Sequence, residues 1–217
     1  MTPGGSHNRA TVQQTLASEP SILDRFAEEL PKAGLVGEER AAKLLYLVLT
    51  SRLLDRPISA VVKAPSAAGK SYLIDTVLRF FPPSAFYTVT GMSERALVYS
   101  EEPLEHRVLV IYEAAGMASD GFAPYFLRTL LSEGHIRYES VSTEKNGKPK
   151  GVVLERPGPT GAILTTTRVK LDPELETRLL SIPVSDSARQ TKRVMYALAD
   201  ERDAEGRSTS SGPSCSE

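Results

Sequence analysis

The stretch at residues 64–71, Ala-Pro-Ser-Ala-Ala-Gly-Lys-Ser, restricts the possible folds of this chain more than any other. It matches the pattern G-x-x-x-x-G-K-[ST] except at its first position, where Ala64 replaces glycine. The residues before it, Ser59–Lys63, are β-branched and mostly apolar, which is typical of a buried strand. After it, apolar residues recur at helical spacing as far as Phe81. A strand, a glycine-containing loop and a helix in this order predict a phosphate-binding loop.

The residue types of this loop suit a nucleoside triphosphate, whose charge is attracted by inward-pointing N–H groups and by the start of a helix. Gly69 has no Cβ and lets the backbone approach the phosphates closely. We expect Lys70 to reach the β- and γ-phosphate oxygens of ATP and the Ser71 hydroxyl to ligate Mg²⁺. Ala64 is strained if its φ angle must be positive and harmless if it continues the strand. The alternative for the whole stretch is a turn of small residues before a core helix. The predicted nucleotide contacts are Ala64, Pro65, Ser66, Ala67, Ala68, Gly69, Lys70, Ser71 and Tyr72.

The composition limits the other classes of function. With 217 residues, 41% of them hydrophobic, the chain can bury the core of one domain with appendages. Its 26 basic and 27 acidic residues give a formal net charge of −1, so any attraction to nucleic acid must be local. Cys215 is the only cysteine, which excludes a disulfide framework and a thiolate zinc site. The sequence lacks a signal-peptide pattern and an apolar run that could cross a bilayer, so we expect a cytoplasmic protein with no membrane partner.

The rest of the chain alternates between strand and helix patterns. This alternation predicts an α/β fold, with a mainly parallel five-stranded sheet between helices. The turn dipeptide Asn146-Gly147 lies between two strand-like segments and predicts a β-hairpin inserted at about 136–156. The expected layout is a disordered N-terminus over 1–20, a helical lead-in over 21–56, the α/β core over 57–186, one further helix over 187–200 and a disordered tail over 201–217.

A second candidate group lies at the end of the most apolar strand, which reads Val-Leu-Val-Ile before Tyr112 and Glu113. ATP hydrolysis needs a carboxylate that orients Mg²⁺ and usually another that positions the attacking water, both at the carboxyl end of such a strand. Tyr112 replaces the Asp that commonly precedes the Glu, so Glu113 is the candidate for water activation. The metal then depends on Ser71, phosphates and water, or shares Glu113. The alternative is that Glu113 is an ordinary solvated carboxylate.

Four segments, in this order along the chain, carry a resemblance to a known family. They are the loop at 64–71, the apolar strand that ends in Tyr112-Glu113, the polar strand end Thr165-Thr166-Thr167 and the segment 171–182. With these segments, residues 34–200 resemble the AAA+ ATPases. The resemblance implies a P-loop AAA+ core with a truncated helical lid, formed by the helix over 187–200, and it implies a homo-oligomer.

The resemblance also implies roles for polar residues of the second half. Thr166 or Thr167 would sense the γ-phosphate, and Arg178 would reach into the neighbouring subunit's site as a catalytic residue, with Arg168 as the second candidate. The same segment is similar to helicase-like ATPases linked to primases of phage and mobile elements. That similarity implies work in DNA replication or mobile-element processing, with a primase or another replication protein as partner.

The inserted hairpin resembles the pre-sensor β-hairpin of AAA+ helicases, which projects into the pore of the ring and tracks DNA. Its tip carries Lys145, Lys148 and Lys150 around the turn. Three cations there could neutralise DNA phosphates without reading sequence. The alternative is that a hairpin tip is charged simply because it is solvated.

Three functional hypotheses remain open on the sequence alone. The first is an oligomeric ATPase that acts on DNA, and the second is a nucleotide-dependent assembly or recruitment module with little hydrolysis. Ala64, Tyr112 and the short lid favour the second. The third is a small-molecule kinase, which uses the same kind of loop but needs a substrate motif that the sequence does not display.

Overall fold

The computed structural model describes residues 20–93, 95–114, 121–143, 148–167 and 171–209, without the side chains of 200–209. Its helices are α1 (Ile22–Glu29), α2 (Glu39–Thr50), α3 (Lys70–Leu78), α4 (Ala96–Tyr99), α5 (Phe122–Glu133), α6 (Pro173–Glu176) and α7 (Ala188–Thr209). Short 3-10 turns follow or precede them at Pro31–Ala33, Ser51–Leu53 and Pro83–Ala85. The strands are β1 (Ser59–Lys63), β2 (Phe86–Val89), β3 (Arg107–Ile111), β4 (Ile136–Thr143), β5 (Pro149–Arg156), β6 (Thr160–Thr166) and β7 (Leu179–Pro183).

Five of the strands form one all-parallel sheet in the order β2-β3-β6-β1-β7. Strand β1 is central to the site because Lys63, its last residue, pairs with Thr166 of β6 on one side and Pro183 of β7 on the other. Strands β4 and β5 form a separate antiparallel hairpin. The predicted five-stranded sheet and inserted hairpin are therefore confirmed. Parallel strands bring their carboxyl ends to one edge, where ligands bind in open α/β sheets.

Helices cover both faces of this sheet, and the three inner strands β1, β3 and β6 are almost entirely buried and mostly apolar for that reason. Val61 of β1 packs in the core cluster beneath α5, while its neighbours Ala60 and Val62 pack in the cluster beneath α2 and α3. Successive side chains of a strand point to opposite faces, so a strand covered on both sides cannot alternate with polar residues. Helix α3 anchors the loop because Leu73 and Ile74 are both about 1% exposed in the cluster that also holds Ala60 and Val62.

The last helix is longer than the sequence pattern predicts. Helix α7 runs to Thr209, so the prediction of a disordered tail is wrong for 201–209. Residues 201–205 contain neither Gly nor Pro and are mostly good helix formers, which explains the continuation. The predicted disorder of 1–19 and 210–217 lies outside the described residues. In the part of the chain that is described, no helix combines the length and apolar character needed to cross a bilayer.

Candidate functional site

Ala64 continues the strand and does not need a glycine backbone. Its N–H donates to the carbonyl oxygen of Thr166 over 3.4 Å, which extends the pairing of β1 with β6 by one residue. The positive φ angle in the first half of the loop belongs instead to Ala67, at 61°. The departure from the sequence pattern at Ala64 therefore carries no strain. The strain lies at Ala67, whose backbone adopts a region of positive φ angles that residues other than glycine rarely occupy.

Lys70 begins α3 with its side chain turned back under the loop. Its Nζ donates to the carbonyl oxygens of Ala64 and Pro65 over 2.9 and 2.7 Å, and the residue is only 6% exposed. Carbonyl dipoles alone compensate a buried ammonium poorly, and an anion completes its environment with charge-assisted hydrogen bonds. The lysine is thus prepared to exchange a loop carbonyl for a phosphate oxygen.

The backbone between Ser66 and Ser71 presents donors to an open space. Gly69 has a φ angle of 83°, and a Cβ built there would meet no atom within 4 Å. Among the hydrogen bonds of the described residues, none is donated by the backbone N–H groups of 66–71. These donors lie at the N-terminus of α3, where the helix dipole adds positive potential. The cradle therefore fits a phosphate group.

Glu113 stands at the carboxyl end of β3 in a constrained backbone conformation. Its φ angle is 57°, and its N–H donates to the Thr165 hydroxyl over 2.9 Å. A non-glycine residue in this region costs about 1–3 kcal/mol and persists only where its surroundings impose it. Thr165 is buried and supplies part of that constraint, so it positions Glu113. The side chain of Glu113 is exposed at the edge of the sheet that holds the loop.

The threonine run divides between buried and exposed positions. Thr166 is fully buried and pairs with Lys63, which places it directly beside the start of the loop. Thr167 follows the strand and is exposed. Thr165 was assigned no role from the sequence, because three adjacent threonines do not reveal which hydroxyl faces the neighbouring strand. Its contact with Glu113 joins residues 52 positions apart in the chain.

Tyr112 occupies the position where a strand carboxylate was expected. Its N–H donates to the carbonyl oxygen of Val89 over 3.0 Å, and its hydroxyl donates to Asp75 of α3. Partial burial, and then the hydrogen bond to Asp75 and its negative charge, raise the pKa of the Tyr112 phenol above its usual range. The phenol therefore keeps its proton and remains a donor to Asp75, a residue that the sequence analysis did not single out.

Two cavities flank the first turn of α3. Tyr72 lines one of them, and the adjacent Ser71 lines the other, on a different side of the helix. The cavity on the Tyr72 side has a volume of about 440 Å³ and is mostly apolar. The cavity on the Ser71 side has a volume of about 920 Å³ and is more open. The first cavity is lined by Leu35, Val36, Tyr72, Val194 and Leu198 among others, and the second by residues that include Ser71, Asp75, Tyr112 and Glu113.

The apolar cavity is closed by contacts between two distant parts of the chain. Gln190 of α7 donates to the carbonyl oxygen of Val36 over 2.5 Å, and the N–H of Ser185 donates to Glu38 over 3.0 Å. Gly37 has a φ angle of 86°, and a Cβ there would lie 2.0 Å from the Gln190 side chain. The sequence predicted the loop residues 67–69 that border this cavity but not the cavity itself, because the walls around Val36 and Gln190 lie 154 positions apart and carry no motif.

Arg178 lies far from the loop within the same chain. It precedes Leu179, which pairs with Ser59 at the amino end of β1, so the length of the strand separates it from the loop, roughly 13 Å at about 3.3 Å per residue. Its Nε donates to the Ser132 hydroxyl over 2.5 Å, and the residue is exposed. The structure thus brings Lys70, Ser71, Glu113 and Thr166 to one edge of the sheet and leaves Arg178 at the other. Arg168 lies outside the described residues.

The hairpin is anchored at its base and exposed along its outer half. Tyr138 packs edge-on against Phe126 at 5.1 Å between ring centroids, and the buried Arg156 donates to the carbonyl oxygens of Ser100 and Glu102. Farther out, Val141 is 71% exposed. Lys148 and Lys150 lie on this exposed outer half, and Lys145 lies outside the described residues.

Comparison with known proteins identifies the fold. No protein-family model matches the chain, and no curated protein is similar to it in sequence. Among solved structures, it is similar to a full-length MCM homolog from Methanopyrus kandleri, with a TM-score of 0.57 and 15% identity over 93% of this chain and 46% of that one. It also aligns with NtrX from Brucella abortus in complex with ATP, with a TM-score of 0.43 and 17% identity over 89% of this chain and 46% of that one. The chain thus spans less than half the length of these proteins. The likeness to the MCM homolog agrees with the sheet topology, and the predicted α/β fold with a five-stranded parallel sheet between helices is confirmed.

Proposed function

We propose that this AAA+ module binds ATP and Mg²⁺ at residues 64–71 and hydrolyses the nucleotide. The observation that carries the proposal is the buried Lys70 ammonium, whose partners in the described part of the chain are two loop carbonyls, beside the open cradle at Gly69. A buried cation, unpaired N–H donors and a helix N-terminus at one place are what a phosphate chain needs. A turn of small residues before a core helix, the alternative reading of this stretch, would need none of the three.

The two cavities give the nucleotide an orientation. With its phosphates at Gly69, the base enters the apolar cavity, where half of Tyr72 is exposed and the apolar side chains of α7 form the opposite wall. Aromatic rings and aliphatic side chains suit the flat face of a base. The hydroxyl of Ser71 faces the second cavity, which has room for Mg²⁺ and water. The donor set of hydroxyl, carboxylates and phosphate oxygens is the hard-oxygen set that Mg²⁺ prefers.

The residues around the phosphates have separate roles in the proposed hydrolysis. Glu113 orients the attacking water, and Thr166 or Thr167 senses the γ-phosphate from the end of β6. Arg178 cannot reach the loop of its own chain, so it acts on the site of a second copy, and the active form is a homo-oligomer. An arginine supplied in this way accelerates hydrolysis about 10³- to 10⁵-fold in nucleotide hydrolases.

We assign the polymer substrate to DNA because of the hairpin. Its exposed outer half carries Lys148 and Lys150, with Lys145 next to them in sequence, and cations on a projecting ribbon contact phosphates without regard to base identity. The biological setting that follows is DNA replication or mobile-element processing, together with a primase or another replication protein.

A second candidate is a nucleotide-dependent assembly module with little hydrolysis. The Tyr112 phenol, which stands where a strand carboxylate was expected, favours it. The two candidates share the binding site and differ in turnover.

The proposal is tested by measuring the affinity of a fluorescent ATP analogue for the wild type and for Lys70→Ala. The control is Lys32→Ala, which removes an exposed lysine paired with Glu29. We expect Lys70→Ala to lose at least tenfold in affinity and the control to match the wild type. Equal affinities of both variants would overturn the site.

ATP turnover measured across protein concentration, with and without single-stranded DNA, then decides between the candidates. A concentration threshold with stimulation by DNA supports the ATPase, and flat turnover near zero supports the assembly module.

A further inference from the structure

The predicted metal site has one protein ligand, Ser71, and lacks the carboxylate that the end of β3 was expected to supply. Asp75 lies four residues after Ser71 on α3, so both side chains lie on the same face of the helix, with about 5–6 Å between their Cβ atoms. Both line the larger cavity together with Glu113. A carboxylate is therefore present at this place, but it comes from the helix and not from the strand.

The contact with Tyr112 orients this carboxylate. The phenol of Tyr112 donates a hydrogen bond to Oδ1 of Asp75. Oδ2 of Asp75 has no donor among the described residues, so that oxygen is available in the cavity. Tyr112, which stands where a strand carboxylate was expected, thus holds the Asp75 carboxylate in position.

We propose that Asp75 supplies the missing carboxylate and holds the Mg²⁺ of bound ATP, directly or through a water that the metal retains, and that Tyr112 is its positioning residue. The inference rests on the proposed function, because it concerns the metal that accompanies the nucleotide. Mg²⁺ needs only one or two carboxylates beside phosphates and water, and Asp75 with Glu113 meets that number. The competing account is that the Tyr112–Asp75 hydrogen bond only fastens α3 to β3.

The test measures Mn²⁺ as the probe metal, by the electron paramagnetic resonance signal of free Mn²⁺. The sample is the whole 217-residue chain in excess over a non-hydrolysable ATP analogue. Asp75→Asn keeps an oxygen for Tyr112 and removes the charge, and we expect it to weaken Mn²⁺ binding about 10- to 100-fold, as for lost metal-supporting groups. The matched control is Glu105→Gln, an exposed carboxylate at the amino end of β3, for which we expect no change.

A second substitution tests whether Asp75→Asn weakens Mn²⁺ binding because it removes the metal's carboxylate or because it disturbs the structure. Adding Tyr112→Asp to Asp75→Asn returns a carboxylate to the strand and should restore Mn²⁺ affinity, while adding Tyr112→Phe should not. If Asp75→Asn binds Mn²⁺ as tightly as the wild type, or if Tyr112→Asp fails to rescue it, the inference is overturned. Nucleotide affinity of the wild type, measured both with Mg²⁺ and in EDTA, keeps the two proposals apart. No ATP binding under either condition refutes the proposed function, whereas retained ATP binding with a Mn²⁺ affinity that Asp75→Asn leaves unchanged refutes only the role of Asp75.

Discussion

Two residues at the proposed phosphate site, Ala67 and Glu113, have positive φ angles although neither is glycine. Each costs about 1–3 kcal/mol, and such residues concentrate where the surroundings impose a functional geometry. Ala67 turns the loop so that its N–H groups face the cradle, and Glu113 turns the chain at the end of β3. Among the described non-glycine residues only His106, before β3, shares the positive φ angle, so two of the three such positions lie where the proposed chemistry needs them, and Ala64 is not one of them.

Because Ala64 continues the strand, Ala64→Gly should not improve nucleotide binding. We expect unchanged ATP affinity and a loss of about 0.5–1 kcal/mol in the free energy of unfolding, since glycine has more freedom to lose in an extended segment. Urea unfolding and a binding titration measure the two quantities. A severalfold gain in ATP affinity would mean that position 64 requires a glycine backbone after all.

Thr165→Val removes the acceptor of the Glu113 N–H while keeping the shape of the side chain. We expect slower ATP turnover with little change in ATP affinity, and a loss of about 1 kcal/mol in stability from the unsatisfied donor. Thr165→Ser keeps the hydroxyl and serves as the control, with turnover near the wild type. If Val and Ser have the same turnover, Thr165 does not position Glu113.

At the scale of elements, short segments are held by few contacts that can be removed one at a time. Helix α6 has only four residues, and its N-cap is Asp172, whose carboxylate accepts from the Leu175 N–H over 2.9 Å and from Arg128 over 3.0 Å. Pro173 fits the first helical position, where no N–H is needed. This helix leads directly to Arg178, so its cap determines where that arginine is presented.

Asp172→Ala should lower the free energy of unfolding by about 1 kcal/mol, as for other N-cap losses. The hydrogen bond from the Leu175 N–H, followed by Arg128, holds the pKa of Asp172 below its usual value. A depressed carboxyl pKa adds stability above the unfolded-state pKa of about 3.9, and that stability is lost as the pH falls through the folded-state pKa. The difference between wild type and variant should therefore be constant from pH 7 to 5 and shrink below pH 4. Asp172→Asn, which retains a capping oxygen, should cost less at pH 7. A difference at pH 3 as large as that at pH 7 would contradict this.

Replacing Lys148 and Lys150 by Gln on the hairpin should weaken binding to single-stranded DNA equally for all sequences. The slope of log affinity against log salt should fall by about 0.7 for each phosphate contact removed. Lys32→Gln with Lys43→Gln changes the net charge equally and lies in the lead-in helices, so it serves as the control. Equal slopes for both double variants would exclude the hairpin from DNA binding.

At the scale of the whole molecule, the local parts of the site could be predicted and the long-range parts could not. The loop at 64–71 and its helix are contiguous, so their spacing in the sequence is their spacing in space. The four-residue spacing between Ser71 and Asp75 is visible in the sequence. Only the hydrogen bond from Tyr112, which belongs to a distant segment, distinguishes Asp75 from an ordinary surface carboxylate. The apolar cavity joins residues near Val36 to α7, and such pairing leaves no trace in local periodicity. The sheet order likewise follows from packing between separated strands.

The position of Arg178 at the edge opposite the loop leads to the central claim: the ATPase site is completed by a second copy of the chain. Lys70→Ala and Arg178→Ala should each have little turnover, because one lacks the phosphate contact and the other lacks the arginine for its neighbour. The most direct measurement is the turnover of an equimolar mixture of these two variants. We predict activity well above either variant alone, since some interfaces in the mixture combine an intact loop with an intact Arg178. A mixture as inactive as its components, or full turnover by Arg178→Ala alone, would contradict the claim.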